Sequence, residues 1–254
     1  MKDSDGQVIA DDAGKACLLN TYFNSINVVD DAACPAFQLR TDGRLDDVCF
    51  DANAVRKHCN KMRPKFSSGP DGYPPFLLKQ IGPSIAGIIA QLFQSFMSIG
   101  RVPSDWKQAI IKPLFKKGAS SDPASYRPIS LTSIFSKLME KIIVEQMLKY
   151  LLTNNLISKQ QHGFLSRRST ATNLIESLND WTVKMENRQG QSVAYIDFAK
   201  AFDSVSHPKL LTKLAAYGIG GVVLNWISDF LGETQPKVAF PLLPSSLSVR
   251  PSRR

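Results

Sequence analysis

The residue types best placed to do chemistry lie in one stretch, Val193-Ala194-Tyr195-Ile196-Asp197-Phe198-Ala199-Lys200-Ala201-Phe202-Asp203-Ser204-Val205. Its first half is rich in β-formers, with Val193, Tyr195 and Asp197 alternating onto one face, and predicts a strand. An unpaired carboxylate is expensive inside a strand. Asp197 is therefore expected at the strand's end, facing a cleft where its carboxylate is free to act. On spacing alone the plainer reading is a turn or helix-cap residue, which is what most Asp residues ending a strand are. Asp203, six residues on, is read as the cap of a helical segment over 204–217.

Asp197-Phe198-Ala199-Lys200-Ala201-Phe202-Asp203-Ser204-Val205 closely resembles the first catalytic motif of reverse transcriptases from non-LTR retrotransposons, the LINE-like and jockey-like group. Four further blocks follow the order of that family. They are Ser67-Ser68-Gly69-Pro70-Asp71-Gly72-Tyr73-Pro74, the segment from Trp106-Lys107 to Pro113-Leu114-Phe115-Lys116-Lys117-Gly118, Tyr126-Arg127-Pro128-Ile129-Ser130-Leu131-Thr132, and Gln161-His162-Gly163-Phe164 to Arg168-Ser169-Thr170. The resemblance covers roughly residues 55–231 and implies an α/β (α+β) fold with right-hand polymerase architecture. Mostly helical fingers would occupy 61–190 and the beginning of the palm 191–231. Residues 1–60 form an upstream region of no assigned chemistry, and 232–254 an off-pattern tail rich in Pro, Ser and Arg.

In such polymerases a primer hydroxyl attacks the α-phosphorus of a nucleotide, helped by two magnesium ions about 4 Å apart. Magnesium, with manganese as a substitute, takes hard oxygen ligands. The resemblance makes Asp197 the catalytic metal ligand, supported by the Phe198 carbonyl. It places Arg127 and Lys112 on the triphosphate, and Phe198 and Phe202 around the nucleotide. Phe202 would be a steric gate against a ribose 2′ hydroxyl, or else ordinary core. Arg167 and Arg168 become phosphate contacts near the template, although charge alone would also keep them outside. The implied partners are an RNA template, a DNA primer and a deoxynucleoside triphosphate.

The chain has no Tyr-x-Asp-Asp, no Asp-Asp pair after Asp47 and no Pro-Gln-Gly block. A truncated reverse transcriptase domain that does not hold magnesium stably is the leading expectation. A non-catalytic RNA- or DNA-binding remnant is the alternative, and a helical interaction protein a third reading.

Several elements must position these residues. Periodicity predicts helices over 11–26, with Leu18, Leu19, Tyr22 and Phe23 on one face, and over 48–62. A polar loop covers 30–47, and Gly and Pro make 63–75 a structured turn. A helix from Pro83 to Gly100 should bury Ile85, Ile88, Ile89, Leu92, Phe93 and Phe96. Residues 109–115 and those from Tyr126 onward read as two extended segments joined by a basic loop. Ser133 precedes a helix with Ile134, Leu138, Ile142, Leu148 and Leu152 inward. Ser169 or Thr170 caps the next, which should bury Leu174, Leu178, Trp181 and Met185. Pro208 opens a helix that Gly218 ends, with Leu210, Leu211 and Leu214 inward, and Trp226 anchors a last one over 222–231.

With 43% apolar residues the 254-residue chain is globular rather than disordered. Its net charge of +9 is uneven: residues 1–60 carry −4 and the remainder +13, which favours a polyanion on the motif-bearing part. Cys17, Cys34, Cys49 and Cys59 show no Cys-x-x-Cys spacing, so reduced thiols are expected rather than a zinc site, and His58 beside Cys59 is a weak metal candidate. The 85–99 region is interrupted by Gln91, Gln94 and Ser95, and the start lacks an apolar signal core. An intracellular protein without membrane span, signal peptide or oligomer is the expectation.

Overall fold

The computed structural model describes residues 1–3, 6–25, 33–198, 201–202 and 204–232. These residues form a mixed helix-and-strand structure in which one antiparallel hairpin stands on a helical body. Helix α1 (Asp12–Ser25) lies within the predicted span and buries Leu19. Helix α2 (Ala52–Lys61) starts later than predicted, because Asp51 caps it by accepting from the Asn53 and Ala54 amides. The residues just before it are extended: the Phe50 N–H donates to Gln94 Oε1 at 3.0 Å, and Cys49 exchanges two hydrogen bonds with the Gln146 amide.

A short helix α3 (Pro75–Ile81), not predicted, starts with proline at its first position, where the missing N–H costs nothing. Helix α4 (Ala86–Ile99) begins three residues after Pro83 and ends at left-handed Gly100, whose amide caps Met97 and Phe96. Its buried face is Ala86, Ile89, Ala90, Phe93 and Met97, while Ile88 and Leu92 are exposed. Of the predicted stripe, Ile89 and Phe93 are thus in the core and Ile85 and Phe96 pack against it, while Ala86, Ala90 and Met97 take the places expected of Ile88 and Leu92.

Strands β1 (Ala109–Phe115) and β2 (Tyr126–Thr132) pair antiparallel from Ala109↔Thr132 to Phe115↔Tyr126, as the two extended segments predicted. Helix α5 (Ile134–Thr153) follows directly, with Ser133 capping the Phe135 and Ser136 amides. Ile134, Leu138, Met139, Ile142 and Ile143 are buried. Leu148 is half-buried, but Leu152 is exposed, because Tyr150 and Leu151 carry the last turn's contact with the core. Helix α6 (Thr170–Glu186) has the predicted Ser169 cap, in a reciprocal box with Thr172. None of its residues is fully buried: Leu174, Leu178 and Met185 are exposed, contrary to expectation, and Trp181 is half-buried.

Helix α7 (His207–Ala216) is capped by Ser206, which accepts from the Lys209 amide. The proposed cap Asp203 lies outside the described residues. Leu210, Leu211 and Leu214 are half-buried. Helix α8 (Gly221–Gly232) buries Val223 and Trp226, as predicted for its anchor.

One core joins α2, α4, α5 and α8 with the extended residues Val48 and Phe50. Phe93 sits at its centre, edge-on to Phe50 and to Trp106 at 5.6 and 5.9 Å between ring centroids. Residues 33–47 are a loop as read, yet they are stitched to the body: Tyr150 Oη donates to the Gly43 carbonyl at 2.7 Å, and Leu45 bridges Ile219.

The strand predicted over 193–198 is absent: residues 191–198 carry no regular structure and are exposed. A strand must pair its backbone polar groups. Among the described residues the only named strands, β1 and β2, pair with each other. No single described helix is long and apolar enough to cross a membrane; α3 and α4 pass that test only as a pair, bent by 117°.

Candidate nucleotide and nucleic-acid site

The hairpin is the best-defined part of the site. Residues directly opposite in an antiparallel pair share a face, as do residues two apart on one strand. Lys112 faces Ile129 and Leu114 faces Arg127, so all four lie on one face of the hairpin. All four are exposed, and Lys112 and Arg127 are diagonal neighbours across the ladder. Of the hairpin's residues only Ile111, on the opposite face, is buried. The geometry brings two cations, one with a planar bidentate fork, onto one open surface.

The loop joining the strands is closed by the Ser125 carbonyl, which accepts from Lys116 N–H at 2.8 Å, and by Tyr126 Oη, which donates to Ser120. Its tip also meets the N-terminal residues: the Lys2 N–H donates to the Ser121 carbonyl at 2.9 Å. A cleft of about 500 Å³ opens between α1 and this tip, lined by Leu18, Tyr22, Ser121 and Pro123 among others.

The basic turn before α6 holds Arg167 and Arg168, both exposed. Arg167 has a left-handed backbone, φ 63°. Arg168 is committed within the turn, donating to the carbonyls of Lys159 and Gln161. Sequence reasoning missed what holds this turn. His162 is buried, with Nδ1 2.9 Å from Thr172 Oγ1 and Nε2 2.6 Å from Glu176 Oε2. Only its place inside the Gln-His-Gly-Phe block hinted at such a role.

Asp197 and Phe198 stand on the exposed irregular segment, apart from any regular element. Phe202 is 78% exposed, so it is not core; its ring meets Phe164 edge-on at 6.1 Å. That contact brings Phe202 beside the basic turn. Ala199, Lys200 and Asp203 lie outside the described residues. Among the described residues no group of three or more His, Cys, Asp or Glu could hold a metal ion. Asp197 with the Phe198 carbonyl is too small a donor set for magnesium, which prefers near-octahedral oxygen coordination. The residues described therefore do not fit a magnesium pair.

His58, weighed as a metal candidate with Cys59, is engaged otherwise. Its Nε2 is 2.8 Å from Glu145 Oε2, and Lys57 binds the other oxygen of that carboxylate. Cys59 is buried, and burial pushes its thiol pKa up, away from the thiolate a metal needs. The Gly69-Pro70-Asp71-Gly72 turn packs against the base of the hairpin, where Asp71 accepts from the Ile134 amide.

The family model described as "Reverse transcriptase (RNA-dependent DNA polymerase)" matches residues 114–249. The match starts inside the hairpin and continues past residue 231, into the tail read as off-pattern. The RNA-directed DNA polymerase from mobile element jockey of Drosophila melanogaster is 36% identical over 126 residues, 49% of this chain and 14% of that protein. The probable RNA-directed DNA polymerase from transposon BS of the same species is 28% identical over 151 residues, 59% of this chain and 17% of that protein. The Pol polyprotein from its type-2 retrotransposable element R2DM is 25% identical over 202 residues, 78% of this chain and 18% of that protein. The chain thus spans less than a fifth of each of these relatives. With the ordered blocks, the exposed cationic hairpin and a family match over more than half its length, the chain belongs to the reverse transcriptases of non-LTR retrotransposons.

Proposed function

We propose that the chain is the fingers part and the opening of the palm of a right-hand RNA-directed DNA polymerase. In this reading its hairpin grips the triphosphate of an incoming deoxynucleotide beside an RNA template and DNA primer. The single observation that carries it is the placement of Lys112 and Arg127 on one exposed face of the β1–β2 hairpin. Arg127 supplies the two-donor grip on phosphate oxygens, and Lys112 adds a point charge. Arg167 is the freer of the two turn arginines for a template phosphate. Phe202, exposed beside Phe164, is proposed as the gate that excludes a ribose hydroxyl.

A second reading, nucleic-acid binding without chemistry, is favoured by the surroundings of Asp197, which lack a carboxylate cluster among the described residues. Both readings keep the hairpin as an anion-binding surface. Titration with a fluorescent deoxynucleoside triphosphate tests it. Charge-assisted bonds are worth about 1.5–3 kcal/mol, so Arg127→Ala should weaken binding by at least about tenfold. Equal affinity of Arg127→Ala and the wild type would overturn the assignment.

A further inference from the structure

The hairpin carries its cations on a stem that meets the helical core at its base, while its tip meets the N-terminal residues through the Lys2–Ser121 bond. Ile111 is its one buried residue, and β2 runs into α5 with only Ser133 between them. Arg127 lies five residues from the end of β2, or roughly 17 Å at a strand's rise per residue. A tilt of about 10° at the base would therefore move its guanidinium by about 3 Å, more than a bidentate contact tolerates. Something must hold the base.

The Gly69–Gly72 turn does so from two sides. The Gly72 N–H donates to the Gly69 carbonyl at 3.1 Å, with Pro70 in the position where its fixed φ favours such a turn. Gly72 adopts a left-handed backbone, φ 72°. Gly69 lies against the last residue of β2: a Cβ there would come within 2.4 Å of the Thr132 carbonyl oxygen. Asp71 uses both carboxylate oxygens. Oδ1 accepts from the Tyr73 amide at 3.1 Å, within the turn, and Oδ2 accepts from the Ile134 amide at 3.1 Å, across 63 residues.

The Ile134 bond is the informative one. Ser133 Oγ already accepts from Phe135 and Ser136, and the Lys137 amide reaches the Ser133 carbonyl. Ile134 alone is left over at this helix start, and it is 7% exposed, beyond easy reach of water. Without Asp71 a nearly buried amide loses its acceptor at the hinge between strand and helix.

We infer that Asp71 is a positioning residue for nucleotide binding: by tying the Gly69–Gly72 turn to the β2–α5 junction it sets the angle at which the hairpin presents Lys112 and Arg127. This rests on the proposed role of the hairpin face. Asp71 does not touch the nucleotide itself. Its substitution should loosen the hairpin while leaving the helical core intact.

The test uses the full chain with Asp71→Asn, Arg127→Ala and the double variant. Two readouts are taken, affinity for a fluorescent deoxynucleoside triphosphate and hydrogen exchange of the backbone amides. Asp71→Asn keeps the side chain's shape but offers one acceptor oxygen in place of two. It should weaken binding about fivefold, the equivalent of one hydrogen bond. Amides of β1 and β2 should exchange faster, with those of α4 unchanged. In the Arg127→Ala background Asp71→Asn should have little further effect, because both act through one contact. Gly69→Ala presses on the same junction from the Thr132 side and should reproduce the pattern; it decides the matter should Asp71→Asn fail to fold. Loss of binding in Arg127→Ala with wild-type binding in Asp71→Asn would overturn the inference and leave Asp71 a plain cap. Should Arg127→Ala bind as wild type, the nucleotide reading fails, and the exchange data still decide whether Asp71 holds the hairpin.

Discussion

At the residue scale, Glu145 shows how a single carboxylate joins two helices. It lies on α5 and receives Lys57 and His58 from α2. The bonds from Lys57 and then His58 hold its pKa below the ordinary value of about 4.5, against a smaller opposing effect of burial. A depressed carboxylate pKa contributes stability that is fully present above the unfolded value and is lost as pH falls through the folded one. Wild-type stability should therefore fall from about pH 4.5 downward more steeply than that of Glu145→Gln, as read by denaturant melts across that range. Parallel acid limbs for the two proteins would remove Glu145 from the account. The pair is half-exposed, so its contribution at neutral pH is expected to be small.

At the scale of elements, α6 is the anomaly. Its sequence is amphipathic, its N-terminus is capped by Ser169, and His162 pins the preceding turn to it. Yet Leu174, Leu178 and Met185 face solvent, and Val193, Tyr195 and Ile196 beyond it are exposed as well. Large apolar side chains left exposed along one helix invite association. The unpaired strand-forming sequence that follows it in the chain adds to the hazard. The paired substitution Leu174→Gln and Leu178→Gln should raise solubility and lower binding of an apolar dye. It should change the melting temperature little, since neither side chain is in the core. A large loss of thermal stability would mean that the face is packed in solution.

At the scale of the whole molecule, charge and core are divided differently. The −4 of residues 1–60 and the +13 of the remainder lie on a chain whose core draws Val48, Phe50, Val55 and Cys59 together with α4, α5 and α8. The acidic part is thus built into the body that presents the basic surface. The proposed binding of single-stranded RNA should weaken with salt, with a log–log slope of about −2 for roughly three phosphate contacts. The same preparation should not extend a primer with magnesium or manganese, because Asp197 lacks a carboxylate cluster among the described residues. A flat salt response would remove the electrostatic reading. Extension by the wild type that Asp197→Ala abolishes would show that a second metal ligand exists.

Local rules were enough for the two strands of the hairpin. β-formers at 109–115 and 126–132, separated by a loop rich in Lys, Gly, Ser and Asp, read as two extended segments; their pairing came with the family resemblance, and the register is the structure's. Ser133 and Ser169 were legible as caps because capping is chemistry within one turn, and Gly100 because a left-handed stop suits glycine. The family was legible from five ordered blocks, none of which needs a packed neighbour to be recognised. Burial was different, because periodicity names an apolar face without saying what will cover it. On α4 the core took Ala86, Ala90 and Met97 and left Ile88 and Leu92 exposed, and the face of α6 found no cover among the described residues. The strand at 193–198 had the right residues but no pairing partner among the described ones. Asp71 and His162 were invisible as joints for the complementary reason: Asp71 reaches an amide 63 residues away, and His162 meets a carboxylate on a separate helix. Such partners come together only when the chain is folded, so tertiary structure alone could assign them.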